Sequence, residues 1–132
     1  DKVLPSLENT RFLFCVADYP ATITDDIFPK EFSYYSGFSD HTIGIEWAKE
    51  AIRRGATIIE KHFTLDRSLP GPDQLASLEP LELKAMVTSI RNIEMAISGN
   101  GMKEPSSSEL KNMEIARKSI VAKTIIYKGD IL

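Results

Sequence analysis

The clearest structural signal in the sequence is Gly55-Ala56-Thr57-Ile58-Ile59-Glu60-Lys61-His62-Phe63. β-Branched residues are prominent in it and a glycine introduces it, which is typical of a strand over residues 56–63. Because side chains alternate along a strand, Ile58, Glu60 and His62 share one face. The pattern predicts a strand that presents a carboxylate and an imidazole on the same side, toward its carboxyl end.

Two more strands are predicted upstream. Residues 11–17 form an almost continuous apolar run, Arg-Phe-Leu-Phe-Cys-Val-Ala, as expected of a strand buried on both faces. Residues 34–41 form a second, shorter run in which Gly37, Ser39 and His41 share one face. If the two polar faces both point inward, a hydroxyl, a carboxylate and two imidazoles converge.

A helix is predicted after each of the last two strands. Between residues 43 and 54 apolar side chains recur at helical spacing, and Gly55 stands where a left-handed cap is needed. A longer helix follows a loop rich in turn formers, with Ser77 as its N-cap, Pro80 in its first turn and Gly99 beyond its end. Its predicted apolar face consists of Leu83, Met86, Val87, Ile90 and Ile97.

The order strand, helix, strand, helix predicts an α/β fold with parallel strands and covering helices, either a βα barrel or an open doubly wound sheet. Residues 98–101 and 105–108 are rich in Ser, Gly and Pro, as connections between domains often are, which places a boundary near Gly99. Beyond it, residues 109–117 are predicted as a short helix and residues 119–126 as a strand that enters a second domain.

Composition restricts the class of protein. The 132 residues carry a formal charge of -3, and the basic residues are scattered rather than gathered in a stripe, which argues against nucleic acid and anionic membranes as partners. No apolar run approaches the roughly 20 residues that span a bilayer. The one cysteine, Cys15, lies in an apolar run and is predicted to be a small buried side chain. These features predict a cytoplasmic protein with a small or polar substrate. A start without an initiator Met and an end at Ile131-Leu132, which could begin another element, predict a piece cut from something longer.

The only two histidines, His41 and His62, each lie at or just after the carboxyl end of a predicted strand. In parallel α/β folds that end of the sheet is where sites are built. Neutral imidazole is a good ligand for divalent first-row metals, and such a metal acts as a Lewis acid on a carbonyl. The alternative is that both rings only form hydrogen bonds that cap strands, since no His-Glu-x-x-His motif fixes a geometry. Spacing alone leaves both interpretations open.

Other polar residues also have ordinary interpretations. Glu60 could form an ion pair with Lys61 or Arg54, and Asp73, which follows Gly-Pro, could stabilise a turn. Tyr19, before a proline, could serve packing alone.

Several ordered blocks nevertheless resemble one family. They are residues 37–46 (Gly-Phe-Ser-Asp-His-Thr-Ile-Gly-Ile-Glu), 55–66, 70–73, 76–80 and 116–122. Together they are similar to the N-acetylneuraminate (sialic acid) synthase family, which includes the legionaminate and pseudaminate synthases and a spore coat polysaccharide enzyme. The resemblance implies a role in sialic acid or polysaccharide biosynthesis.

The resemblance also implies an architecture. Residues 1–99 would supply the last three βα units of a TIM (β/α)8 barrel, roughly strands six to eight, and residues 100–132 would be the linker and start of an antifreeze-like (SAF) domain. The family's members are expected to be homodimers. A chain that lacks the earlier strands is expected to be inactive alone and to associate with itself or with the missing portion.

The implied reaction joins phosphoenolpyruvate to the open-chain aldehyde of an N-acetylated hexosamine, N-acetylmannosamine or a related sugar. It releases phosphate and forms a nine-carbon 2-keto sugar acid, so the enzyme is a transferase that forms a carbon–carbon bond. The resemblance assigns Mn²⁺, with Mg²⁺ as the alternative, to His41 and His62. It further assigns Ser39 to the phosphate of phosphoenolpyruvate, Tyr19 to the substrate site, Asp73 to the acceptor sugar, and Glu60 to a catalytic position beside the metal, where it orients a ligand or a water.

Two departures from the family pattern affect these expectations. Val16-Ala17 stand where a hydroxyl or amide side chain is common, and Gln74 stands where many relatives have His. Two other functions compete with the synthase: another metal-dependent aldol-type barrel enzyme, and a non-catalytic assembly or binding module whose histidines hold no metal.

Overall fold

The computed structural model describes residues 10–131. Its centre is a three-stranded sheet in the order β1 (Leu13–Cys15), β2 (Gly37–Asp40) and β3 (Ile58–Lys61), and both strand pairs are parallel. The predicted α/β class with parallel strands is therefore confirmed. Each strand is shorter than predicted, because ladder hydrogen bonds hold only the middle of each apolar run. The first nine residues of the predicted domain 1–99 lie outside the described residues.

The register of the sheet decides which side chains meet. Cys15 pairs with Ser39, and Ser39 pairs with Glu60, so these three side chains share one face. Phe38, which is fully buried, belongs to the opposite face, which is covered by helices. We call these the polar face and the helix face of the sheet.

Helix α1 (Glu46–Arg53) connects β2 to β3, and helix α2 (Pro80–Ile97) follows β3. Helix α1 begins three residues later than predicted, because Gly44 adopts a left-handed conformation with φ of 80° and bends the chain before it. Gly55, with φ of 98°, follows the helix as predicted.

The N-cap prediction for α2 is wrong. Glu79 is the N-cap and forms a reciprocal capping box with Glu82, while Pro80 occupies the first helical position. Ser77 instead donates its hydroxyl hydrogen bond to the carbonyl oxygen of Asp73, 2.9 Å away, and follows a short 3₁₀ turn, Gln74–Ala76. A serine can cap a helix only where the chain turns into it, and that turn comes two residues later.

The hydrophobic core lies on the helix face of the sheet. Its buried members are Ala21, Ile23, Phe28, Phe32, Phe38, Ala48, Ala51, Ile52, Ala56, Leu78, Met86 and Ile90. Met86 and Ile90 of the predicted apolar face of α2 are therefore core residues, but Val87 and Ile97 are exposed. Helix α2 packs on α1, which covers only part of the stripe.

Burial on both faces of β1 is not observed. Cys15, which the sequence predicts to be buried, is exposed. It points to the polar face of the sheet, opposite the helices. An apolar run shows that a strand is hydrophobic, but it does not show that both of its faces have a partner in the same chain.

The segment between β3 and α2 is closed at its base. The amide of Thr64 donates to the carbonyl oxygen of Leu78 at 3.0 Å, and the amide of Leu78 donates to the carbonyl oxygen of His62 at 2.9 Å. Arg67 adds an ion pair with Glu82 at 2.8 Å. We call residues 64–78 the closed loop; it carries Asp73.

The chain divides into two compact units, Asp1–Gly99 and Asn100–Leu132. The second contains helix α3 (Ser107–Ala116), which begins two residues before the predicted helix because Ser106 caps it in a capping box with Glu109. The predicted strand over residues 119–126 is wrong, since these described residues form no strand and are exposed. None of the helices within residues 10–131 has the length and apolar character needed to cross a membrane.

Candidate metal and substrate site

The two histidine rings meet at the carboxyl edge of the sheet. His41 follows β2 and His62 follows β3, one residue beyond the last paired positions of each strand. Their ring centroids are 5.1 Å apart and the rings are almost perpendicular, at 89°. His41 is 4% exposed, whereas the side chain of His62 is 26% exposed. The predicted convergence of the imidazoles is present.

The neighbours of His41 decide which ring nitrogen is available. Its Nδ1 lies 3.1 Å from the carbonyl oxygen of Val16, which can only accept, so we assign the ring proton to Nδ1. The thiol sulfur of Cys15 lies 3.8 Å from the same atom. Nε2 is then left with a lone pair. A backbone carbonyl that fixes the tautomer of an imidazole is a common partner of a metal-binding histidine.

Ser39 and Glu60 complete the polar face beside this nitrogen. The hydroxyl of Ser39 donates to Oε2 of Glu60, and its oxygen lies 3.3 Å from Nε2 of His41. With its one hydrogen directed to Glu60, the Ser39 oxygen presents a lone pair to a nitrogen that also presents one. Such an arrangement is stabilised by a proton or a metal cation between or beside the two atoms. The residues present therefore fit a bound cation.

The alternative predicted for Glu60, an ion pair with Lys61 or Arg54, is not observed. Its two candidate partners form ion pairs elsewhere: Lys61 with Asp40, and Arg54 with Asp25 and Glu50. Glu60 is exposed on the polar face, where its carboxylate accepts from Ser39.

Tyr19 and Asp73 border the two imidazoles. The Tyr19 ring stacks on His41 at a centroid distance of 4.2 Å and lies 5.5 Å from His62, yet it is 44% exposed. The position of Tyr19 is thus compatible both with packing and with a role in the site. Oδ2 of Asp73 lies 3.8 Å from Nδ1 of His62, beyond hydrogen-bond distance, and its side chain is 46% exposed. All six residues predicted from sequence to form the site are within one region.

The described residues do not form a larger ligand cluster. Within residues 10–131 no group of three or more His, Cys, Asp and Glu residues has metal-binding spacing. The histidine pair is therefore the only candidate for metal ligation that the described part of the chain brings together here.

A buried ion pair beneath the site was not predicted from the sequence. Nζ of Lys61 lies 3.1 Å from Oδ2 of Asp40, and their side chains are 2% and 0% exposed. Burial lowers the pKa of the Lys61 ammonium, and the negative charge of Asp40 opposes that shift. The available signal was strand alternation, which places both charges on the face opposite the histidines, where apolar side chains are expected.

Residues 6–103 match the sequence model of the NeuB family. N,N'-diacetyllegionaminic acid synthase from Campylobacter jejuni is 46% identical to the chain, over 94% of this chain and 39% of the relative. Human N-acetylneuraminate-9-phosphate synthase is 37% identical, over 98% of this chain and 38% of the relative. The chain thus spans about two fifths of the length of these curated relatives.

A solved structure shares the fold. It is the N-acetylneuraminic acid (sialic acid) synthetase from Leptospira borgpetersenii, in complex with citrate. The match has a TM-score of 0.56 and 38% identity, and it covers 78% of this chain and 38% of that chain. The parallel sheet and its helices are therefore an arrangement that occurs in sialic acid synthetases.

Proposed function

Because this chain belongs to the NeuB family, we propose that it forms part of a longer sugar-acid synthase. The enzyme condenses phosphoenolpyruvate with N-acetylmannosamine or a related N-acetylated hexosamine, and it releases phosphate. This makes it a transferase that forms a carbon–carbon bond and yields a nine-carbon 2-keto sugar acid. The synthase names of the relatives support the reaction class.

The observation that carries the proposal is the meeting of two imidazoles at the carboxyl ends of adjacent parallel strands, 5.1 Å apart. We propose that His41 and His62 hold a divalent metal, with Mn²⁺ as the expected ion and Mg²⁺ as the alternative, as the family resemblance implies. When bound, the metal supplies Lewis-acid chemistry at an oxygen of the acceptor aldehyde.

The remaining residues bind and orient. Ser39 can redirect its hydroxyl from Glu60 to the phosphate of phosphoenolpyruvate. Glu60 then orients a metal-bound group or a water with the carboxylate that Ser39 releases. Asp73, on the closed loop, holds hydroxyls of the acceptor sugar, and Tyr19 presents an aromatic wall beside His41. Each of these roles is a proposal supported by position.

The same proposal extends to the architecture. The three strands would belong to a (β/α)8 barrel, and residues 100–132 would form the linker to an antifreeze-like domain, in a homodimer. The described sheet has β1 and β3 as open edges. A barrel needs those edges paired, so this chain alone is expected to be inactive.

A metal titration tests the proposed site. We expect the chain to bind Mn²⁺, followed as loss of the free-ion signal in electron paramagnetic resonance. His62→Ala should weaken binding at least about tenfold while circular dichroism stays unchanged. Leu65→Ala, an exposed position three residues away, is the control and should bind as the parent does. Absence of Mn²⁺ binding by the parent chain would favour a non-catalytic module.

The reaction itself needs the complete protein. Phosphate release from phosphoenolpyruvate is to be measured against a panel of N-acetylated hexosamines. Release that requires one of these sugars would support the synthase, and the preferred sugar would identify the acceptor. If none of these sugars causes phosphate release but the protein condenses other aldehydes, a different aldol-type barrel enzyme would be favoured.

A further inference from the structure

Asp40 and Lys61 are opposite each other in the β2–β3 register, on the helix face of the sheet. Each directly precedes a histidine of the site: Asp40 precedes His41, and Lys61 precedes His62. Desolvating two charges is costly, and apolar side chains of similar volume often serve stability equally well. The fold itself therefore does not require charge at these two positions.

Asp40 on β2 and Lys61 on β3 both form hydrogen bonds with Thr42. Oδ1 of Asp40 accepts from the Thr42 amide at 2.9 Å and from the Thr42 hydroxyl at 2.7 Å. Lys61, on the next strand, donates from Nζ to the Thr42 carbonyl oxygen. Every polar group of Thr42 is thus bound either to Asp40 or to Lys61, and Thr42 itself is buried.

This bonding fixes the backbone on both sides of His41. Asp40 lies before the histidine and Thr42 after it, and Lys61 ties Thr42 to the strand that carries His62. Oδ2 of Asp40 is buried, and its charge is balanced by Nζ of Lys61, 3.1 Å away. Loss of either charge would release the connection between the two histidine-bearing strand ends.

On the basis of the proposed metal site, we infer that Asp40 and Lys61 are positioning residues. They set the separation and orientation of the rings of His41 and His62. They touch neither metal nor substrate. They act through Thr42 and through the backbone of β3, from the side of the sheet opposite the imidazoles. The consequence is that the affinity for metal depends on a buried ion pair behind the site.

The test uses the whole chain and a variant with both charges removed, Asp40→Asn with Lys61→Met. Removing both partners avoids the uncompensated buried charge that a single substitution leaves. Mn²⁺ affinity is measured by electron paramagnetic resonance, and fold by near-ultraviolet circular dichroism and urea unfolding. We expect a folded variant that binds Mn²⁺ about tenfold or more weakly than the parent. A folded variant with parental affinity would overturn the inference.

Thr42→Val is the second variant, because it removes only the hydroxyl bond to Asp40 and leaves the ion pair and the backbone contacts in place. It should weaken Mn²⁺ binding by a smaller factor, about threefold, and it keeps the inference testable if the double variant does not fold. Parental affinity in a folded Thr42→Val chain would then count against the inference. Glu94→Gln, which breaks an exposed ion pair on α2, is the control and should bind normally.

A metal-free measurement separates this inference from the proposed function. Long-range ¹H–¹⁵N spectra report the ring nitrogens of His41 and His62 directly. If the ion pair positions the rings, their resonances shift or broaden in the variants even without metal; unchanged resonances overturn the inference. Failure of the parent chain to bind Mn²⁺ would contradict the proposed metal site, and the ring resonances would still decide whether Asp40 and Lys61 position the histidines.

Discussion

Ser39 and Asp73 border the paired imidazoles from different elements, Ser39 within β2 and Asp73 on the closed loop. Their proposed partners also differ, because a hydroxyl suits a phosphate and a carboxylate suits sugar hydroxyls. In the complete enzyme we expect Ser39→Ala to raise KM for phosphoenolpyruvate about tenfold and leave KM for the sugar unchanged. Steady-state kinetics with each substrate varied in turn measures both values.

Asp73→Asn is the complementary variant. It should raise KM for the acceptor sugar about tenfold and leave KM for phosphoenolpyruvate unchanged, since the carboxylate is proposed to contact only the sugar. Each variant is the control for the other. If both raise the same KM, the assignment of two separate substrate contacts is wrong.

At the scale of residues, the sequence was most informative where side chains alternate along a strand. Two-residue periodicity predicted that Ser39 and His41 share a face, and the 3.3 Å contact between them follows from it. It did not reveal that Ser39 directs its proton to Glu60, because rotamers depend on the neighbouring strand. Nor did it reveal why two charges lie behind the site, since a buried ion pair requires a cross-strand register that one strand alone does not determine.

Among the elements, β2 leaves no room for a side chain at Gly37, beside Ile58 of β3. A methyl group added there would overlap the carbonyl oxygen of Ile58 and stand 2.7 Å from its Cβ. We expect Gly37→Ala to lower the free energy of unfolding by about 2 kcal/mol or more, because the strands must separate to admit it. Urea unfolding measures the change.

Gly99→Ala is the matched control for Gly37→Ala. Gly99 has open space where a Cβ would stand, and its φ is outside the left-handed region. The same substitution should therefore change the free energy of unfolding by less than about 0.5 kcal/mol. Equal losses in both variants would show that the close approach of β2 and β3 is unimportant.

Helix α1 contributes an acid-sensitive part of the stability. Arg53 and then Arg54 hold the pKa of Glu50 at about 2, below its ordinary value of 4.5. A carboxylate whose pKa is lowered by folding stabilises the native state above pH 4.5, and that contribution is lost as pH falls toward 2. With allowance for solvent screening of the exposed Arg53, we expect a loss of about 1 kcal/mol, measured as thermal unfolding between pH 5.5 and 3.

Glu50→Gln is the comparison for that pH dependence, because it cannot change charge. Its stability should fall less than that of the parent over the same range, while both still titrate at other carboxylates such as Asp25. Identical acid sensitivity in the two proteins would mean that the ion pairs of Glu50 add nothing measurable.

The sequence predicted whether a segment is a helix or a strand better than it predicted the first and last residues of that segment. Apolar spacing located both α1 and α2, since a helical stripe is set by the residues themselves. The choice of Glu79 rather than Ser77 as N-cap follows from the path of the closed loop, which sequence pattern does not encode. Residues 119–126 alternate weakly, but a strand needs a partner strand for its hydrogen bonds, and none is present in the described part of the second unit.

At the scale of the molecule, the sheet has two open edges and exposed apolar side chains beside them. Phe12 flanks the β1 edge and is exposed. We expect the chain to self-associate with rising concentration, measured by light scattering coupled to size-exclusion chromatography. Phe12→Lys should shift the equilibrium toward monomer, because a charge at an edge opposes strand pairing.

Leu81→Lys is the control for self-association, because Leu81 is still more exposed but lies on α2 and not at a sheet edge. It should leave the equilibrium unchanged. A chain that stays monomeric at all concentrations would show that its open edges do not drive association.

The two backbone hydrogen bonds that join Thr64 to Leu78 and Leu78 to His62 also bear on how such an enzyme could diversify. Because the ends of the closed loop are joined to each other, its mostly exposed part, residues 65–72, can change in sequence or length without displacing the strand end that carries His62. In the proposed synthase, Gln74 in place of His would change the surroundings of Asp73, the proposed sugar contact, and leave both imidazoles in position. In the proposed synthase, evolution would change the preferred sugar through substitutions in this one loop.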